Sequence, residues 1–222
     1  MAVLQKFMPG NWSAAHAMRL SQQCPGGTRF LQTTGQQHPG EPQRVITSEP
    51  EITVLLNAID FSTSAGIADP FAGTCSIASV FLRQGHRVIT NDINPSMPTH
   101  THLNALLHST YAKLQEKARI HVIVTSPFFA ILDLALPLAV LYAHHVVCCH
   151  VPGHYVTDGP SPRMEWLRGL LRQERLMIIA GLPVGPMGRR CIWLCIFRTK
   201  ELRQLMVKPG SAGSIGLHIG ES

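Results

Sequence analysis

A chain of 222 residues, 45% hydrophobic and 14% charged, has room for one ordinary α/β domain with tails, and its net charge of +6 favours a polyanionic partner. Six cysteines (Cys24, Cys75, Cys148, Cys149, Cys191 and Cys195) form no CxxC pair, which argues against a disulfide framework and for reduced, buried thiols. The most apolar run, 135–143, is too short to span a bilayer and no leader is visible, so the expectation is an intracellular protein, cytoplasmic or nuclear, with no membrane contact.

Residues 1–44 are rich in Gln, Gly, Pro, Ser and Thr without sustained periodicity and read as a disordered tail. A single domain is expected over 45–205 and a flexible tail over 206–222. Thr47-Ser48-Glu49-Pro50-Glu51 opens an amphipathic helix carrying Ile52, Leu55, Leu56 and Ile59, since Ser or Thr before a Pro-Glu turn is a helix start. Ile67 and Ala68 lead, as a strand, into Asp69-Pro70-Phe71-Ala72-Gly73-Thr74-Cys75. This is a tight turn in which Gly73 lets a ligand approach the main chain and Thr74 is the expected helix N-cap. Ile77, Ala78, Phe81 and Leu82 then recur at helical spacing, and Gly85 stops the helix.

The apolar run Arg87–Thr90 ends close to a second acid, Asp92. Leu103, Leu106, Leu107, Tyr111 and Leu114 make a helical pattern that leads to a strand, Ile120–Val124, and then to Thr125-Ser126-Pro127-Phe128-Phe129. Beyond it the pattern predicts a helix over Leu132–Tyr142 with an internal Pro137, a strand over Val146–Val151 and a helix over Arg163–Gln173. Strands follow over Leu176–Leu182 and Arg190–Thr199, joined by a turn at 183–188. Ten Lys/Arg and three Glu lie between Arg163 and Lys208; Arg168, Arg172 and Arg175 fall on one predicted helix face, either solvated or facing a nucleic-acid backbone. His144, His145, Cys148, Cys149, His150 and His154 are dense, but Cys148 and Cys149 point to opposite faces of a strand and no tetrahedral set emerges, so no metal is expected.

Three signals belong together: Asp69-Pro70-Phe71-Ala72-Gly73; Asp92, near the offset of the ribose-gripping acid in nucleotide-binding βαβ units; and Ser126-Pro127-Phe128-Phe129. Over roughly residues 47–199 the chain resembles the class I S-adenosylmethionine-dependent methyltransferases, in particular the amino-methylating (adenine/cytosine) DNA methyltransferases. The resemblance implies a Rossmann-like α/β fold, a mostly parallel sheet with a C-terminal antiparallel hairpin, here with the third strand missing or vestigial. It implies S-adenosylmethionine as cofactor, held by Thr47, Asp69, Pro70, Phe71, Ala72, Gly73, Asp92 and Ile93. Within that set Asp69 would face the cationic methionine end, Asp92 would accept the ribose hydroxyls, and the helix opened by Thr47 would start beside the methionine end. It also implies that Ser126, Pro127, Phe128 and Phe129 are the catalytic loop. The Ser126 side chain and the Pro127 carbonyl would accept the N–H groups of an amine whose lone pair is delocalised into a ring, and Phe129 would stack on the flipped base. Cys75 stands where the motif ends in glycine, and Phe128 where it has a second proline, a change expected to alter that turn.

The expected activity is methyl transfer to an exocyclic amine of adenine or cytosine in DNA. Nucleic acid is the expected partner, DNA before RNA, with a further partner supplying target recognition, because no insertion is large enough for a recognition domain. Methylation of RNA or protein on the same fold, and a non-catalytic module that binds cofactor or nucleic acid, stay open. The plainer alternatives are a strand corner with two core phenylalanines for Ser126–Phe129, and a turn acid for Asp92.

Overall fold

A computed structural model of the chain describes residues 46–157, 161–184 and 189–210. The expected N-terminal tail, with Cys24, lies outside the described residues, as does most of the turn at 183–188. The described elements run α1 (Glu49–Ala58), β1 (Gly66–Asp69), α2 (Ser76–Arg83), β2 (Arg87–Thr90), α3 (His108–Lys117) and β3 (Val122–Thr125). They continue with α4 (Leu132–Tyr142), β4 (Val146–Pro152), α5 (Ser161–Arg172), β5 (Leu176–Val184), β6 (Arg189–Phe197) and α6 (Lys200–Met206).

One six-stranded sheet has the order β2-β1-β3-β4-β6-β5. The first four strands are parallel, with β1 between β2 and β3 and β3 against β4. β6 runs antiparallel to both β4 and β5, which is the C-terminal hairpin the sequence suggested. The strands β1, β3 and β4 are buried along their whole length, as they must be with helices on both faces. One apolar layer joins Ile52 and Leu55 of α1, Phe81 of α2 and Met206 of α6 to Val124, Cys148 and Trp193. The other joins Tyr111 and Leu114 of α3, Leu136 of α4 and Leu167 of α5 to Ile123, Cys149 and Leu194. Cys148 and Cys149 thus enter opposite layers, as strand alternation requires.

Between β2 and β3 the described residues hold no further strand; an isolated parallel bridge, Asn91 to Thr101, is what remains there. The helix expected from Leu103 begins only at His108. The reason is local: the Asn91 side chain takes the Leu103 backbone on both sides, accepting from its N–H at 2.9 Å and donating to its carbonyl at 2.9 Å, so 103 cannot join a helix. α4 forms around Pro137 as expected, and its buried stripe of Leu132, Ala135, Leu136 and Ala139 outweighs the one helical bond that proline forfeits.

α6 was not legible in the sequence. Thr199 caps it, its hydroxyl accepting from the Leu202 amide at 3.3 Å. Met206, Val207 and Lys208, which the sequence reading placed in the tail, are tied to the end of α1: the Asp60 amide donates to the Met206 carbonyl at 2.7 Å and Lys208 Nζ to the Leu56 carbonyl at 2.8 Å. Among the described residues no helix is long and apolar enough to cross a membrane.

Candidate cofactor and catalytic site

The acids of the site stand at the carboxyl ends of adjacent strands, the edge where open α/β sheets take ligands. β1 delivers Asp69, 1% exposed. Its Oδ1 accepts from the Thr125 hydroxyl at 2.7 Å and, more weakly, from the Phe71 amide at 3.3 Å, while its buried Oδ2 has no partner. Burial pushes this carboxyl up to about 7; Thr125 and the Phe71 amide pull it down, and nearby Asp92 pushes it up further.

After Asp69, Pro70 and Ala72 are buried and Phe71 is half-buried. Gly73 takes φ 51, and a Cβ added there would meet nothing within 4 Å, so the loop leaves an open cradle at its glycine. Thr74 is not the helix cap: it is exposed, and α2 begins at Ser76 with Cys75 in the capping position. Cys75 has φ 62, a left-handed conformation, which delays the helix by one residue. This is the position where the resembled motif carries glycine, so the motif's backbone is kept without its glycine. The Cys75 thiol, half-buried, is pushed up by burial first and then by the Asp69 carboxylate, which leaves it a protonated packing group.

Asp92 closes this loop from the β2 side. Its Oδ2 accepts from the Gly73 amide at 2.9 Å and its Oδ1 from the Asn94 amide at 2.8 Å. It therefore makes the turn expected of a turn acid while remaining half-buried, next to half-buried Ile93, with lone pairs to spare for ribose hydroxyls. Asn91, fully buried, is the hub that sequence reading missed. Its side chain donates to the Pro70 carbonyl at 3.0 Å, and its own carbonyl accepts from the Ala72 amide at 2.9 Å.

β3 ends at Thr125, whose hydroxyl, in a role the sequence did not reveal, joins the Asp69 loop to the next loop, Ser126-Pro127-Phe128-Phe129. Ser126 is half-buried and Pro127 buried. Phe128 and Phe129 are 42% and 38% exposed, so they are not the two core phenylalanines of the plainer reading. Nor does Phe128 alter the turn: its φ of −57 and ψ of 136 are angles that a proline adopts. Thr47, 2% exposed, lies just before α1, its Oγ1 3.4 Å from Nδ1 of His150 in β4.

The basic face needs one correction. α5 ends at Arg172, and Glu174, at φ 55, turns the chain back toward the sheet. Arg175 is 8% exposed and bonded inward, Nε donating to the Phe197 carbonyl at 2.8 Å and Nη1 to Gln173 Oε1 at 3.0 Å. It is a structural residue and leaves Arg168 and Arg172 as the helix-face arginines. Among the described residues no three His, Cys, Asp or Glu side chains are placed to hold a metal ion.

Residues 51–105, about a quarter of the chain, match the family described as D12 class N6 adenine-specific DNA methyltransferase; the match takes in the Asp69 loop and Asp92 and stops short of Ser126. No curated protein matches the chain. Among solved structures it is similar to a type I restriction-modification methyltransferase subunit from Streptococcus thermophilus, at 12% identity and TM-score 0.50, over 68% of this chain and 44% of that one. It is similar also to the type IIG restriction endonuclease BpuSI, at 14% identity and TM-score 0.50, over 76% of this chain and 27% of that one. The chain thus spans less than half the length of either. By its strand order and its likeness to these solved structures the domain has a Rossmann-like methyltransferase fold, and its segment 51–105 is similar to the D12 class N6 adenine-specific DNA methyltransferases.

Proposed function

We propose that the domain, residues 45–205, binds S-adenosylmethionine at the carboxyl edge of β1 and β2 and transfers its methyl group to an exocyclic amine in DNA. The match to an adenine-specific family favours adenine over cytosine. The observation that carries the reading is the Thr125–Asp69 bond of 2.7 Å, which sets the candidate catalytic loop directly against the candidate cofactor loop. Asp69 fits a cationic ligand: a buried carboxylate oxygen without a donor is what an ammonium group would complete. Gly73 leaves room for a ligand against the main chain, with Pro70, Phe71 and Ala72 shaping the turn, and Asp92 and Ile93 bound the ribose side. Thr47 belongs to the methionine side.

S-adenosylmethionine supplies an electrophilic methyl on a sulfonium leaving group, so the chain need only align and polarise. Ser126 Oγ and the Pro127 carbonyl accept the two N–H groups of the target amine, which lets its nitrogen pyramidalise, and exposed Phe129 gives a stacking face to the flipped base. A partner that supplies target recognition belongs to the same proposal. The test is mass spectrometry of nucleosides from DNA incubated with purified protein and cofactor. N6-methyladenine is the expected product, and Ser126→Ala should lower its rate by at least about tenfold, the effect of losing about 1.4 kcal/mol of transition-state bonding. Cofactor binding without any methylated base in DNA would replace this reading with that of a binding module; methylated RNA or protein would move the substrate.

A further inference from the structure

The first turn of α1 is tied down in an unusual way. Glu51, 1% exposed, accepts at Oε2 from both the amide and the hydroxyl of Ser48 at 2.8 Å. Its Oε1 lies 3.2 Å from Nε2 of His150, an ion-pair contact that is not aligned as a hydrogen bond. His150 is 0% exposed. Its other nitrogen faces Thr47 Oγ1 at 3.4 Å, and its ring lies 4.9 Å from the ring of Trp193, whose Nε1 donates to the Glu51 carbonyl at 2.8 Å.

His150 follows Cys149, which is in parallel register with Thr125, so in β4 it stands one residue beyond the last paired position of β3, after which the chain enters the Ser126 loop. An apolar pair of equal volume would hold a helix to a sheet as well as a buried carboxylate and imidazole, often better. Stability therefore does not explain the pair. Its position does: it holds Thr47 and Ser48 at the start of α1 against β4, next to the strand β3 that leads into the Ser126 loop. Two buried acids are tied to the neighbouring strands β3 and β4 here, Asp69 to Thr125 at the end of β3 and Glu51 to His150 in β4.

We propose that His150 is a positioning residue of the methyl-transfer site: with Glu51 it fixes Thr47 and Ser48 at the start of α1, and so sets where the methionine end of the cofactor lies relative to Ser126. The proposal rests on the cofactor reading given above. It assigns His150 and Glu51 to one end of the ligand only, and that makes it separable from a general role in folding.

The test is calorimetry with two ligands, S-adenosylhomocysteine and 5′-methylthioadenosine, which share the thio-nucleoside and differ in the amino-acid end. His150→Phe keeps a flat ring beside Trp193 but removes both polar contacts; Thr47→Val removes one. Each should weaken S-adenosylhomocysteine about tenfold, or about 1.4 kcal/mol, and leave 5′-methylthioadenosine within about twofold. Thr47→Ser should restore binding, since it keeps the hydroxyl. Equal weakening of both ligands would overturn the proposal, because it would signal general disruption; so would no weakening of either. If His150→Phe does not fold, Glu51→Gln, which leaves Ser48 an acceptor but removes the carboxylate facing His150, takes its place: weakening of S-adenosylhomocysteine alone supports the proposal, and equal or no weakening of the two ligands overturns it. Wild-type protein that binds neither ligand would overturn the cofactor reading and this proposal with it, whereas variants that match a binding wild type overturn this proposal only.

Discussion

Asp69, at the end of β1, and Glu51, in the first turn of α1, are both 1% exposed, yet their carboxyl groups are pushed in opposite directions. Burial alone would raise Glu51; contact with His150 and bonds from the Ser48 amide and hydroxyl outweigh it and hold the group below its usual value. For Asp69, burial wins: Thr125 and the Phe71 amide do not offset it, Asp92 adds repulsion, and the group rises to about 7. Glu51 is the more fully met of the two, with two donors on one oxygen, while its other oxygen makes no hydrogen bond but lies 3.2 Å from the His150 imidazole. Asp69 has one buried oxygen that no donor reaches. The contrast is between an acid whose second oxygen faces an imidazole of its own chain and one whose second oxygen has no partner, the one proposed to meet the cofactor.

The largest expected effect tests the more fully met acid. Glu51→Ala strips the α1 cap and leaves His150 buried without the carboxylate that faces it, and should cost about 3–5 kcal/mol in urea unfolding at pH 7. Because the folded group sits below its usual 4.5, its contribution is present above that pH and fades as pH falls through the folded value. A loss under about 1 kcal/mol, the scale of an ordinary exposed cap, would erase the contrast with Asp69.

Asp69→Asn should act with the opposite sign on stability. A carboxyl raised from 3.8 to about 7 favours the folded state below pH 3.8, and that advantage is lost as pH rises through 7, where the protein carries a buried, half-bonded anion. Asparagine keeps an acceptor for Thr125 and removes the charge. Thermal and urea unfolding should therefore show a gain on the order of 2–4 kcal/mol at pH 8 and little change at pH 3. Calorimetry should show cofactor affinity falling, and in wild type falling as pH drops below about 7, where Asp69 gains its proton. A variant less stable than wild type at pH 8 would mean that the unpartnered oxygen is no burden.

How far these roles could be read from the sequence depended on whether a residue's partner was near it in the chain. The Asp69–Cys75 turn and the Ser126 loop were legible because tight turns demand particular residues, and the strands because each is an unbroken apolar run. The cap formed by Ser48 and Glu51 was legible too, being local. The other side of Glu51 was not: His150 is far along the chain and looked like one member of a histidine-rich stretch. Arg175 was misplaced because the helical spacing of arginines runs on past Arg172, while the φ of 55 at Glu174 that ends it leaves no mark on the pattern. Leu103 to Leu107 imitated a helix that the Asn91 side chain prevents.

Asp92 stands between the two acids in character, since its chain uses both oxygens but leaves it half-buried. Asp92→Ala should weaken S-adenosylmethionine by about 1.5–3 kcal/mol, the scale of hydrogen bonds to a charged group. Asp92→Asn, which retains an acceptor for the Asn94 or Gly73 amide, tells loop support from ribose contact. If the asparagine variant binds like wild type, the carboxylate serves the loop and not the ligand.

The smallest effect concerns Cys75, which caps α2 at the end of the Asp69 loop. At φ 62 it holds a conformation that glycine takes without strain, and a left-handed non-glycine residue costs about 1–2 kcal/mol. Cys75→Gly relieves that strain. It also frees the unfolded chain, an opposing term of about 0.5–1 kcal/mol, and forfeits the 3.4 Å contact from Sγ to the Pro98 carbonyl. The net should be a gain of about 0.5 kcal/mol, near the limit of what a melting curve resolves, since 1 kcal/mol moves the midpoint of a domain this size by about 2–4 °C. Cofactor affinity should not fall, because the turn is already the one glycine would make. A clear loss of stability in Cys75→Gly would show that the side chain contributes more through its packing than its backbone costs. The departure from glycine would then be an adaptation of this loop and not a strain it tolerates.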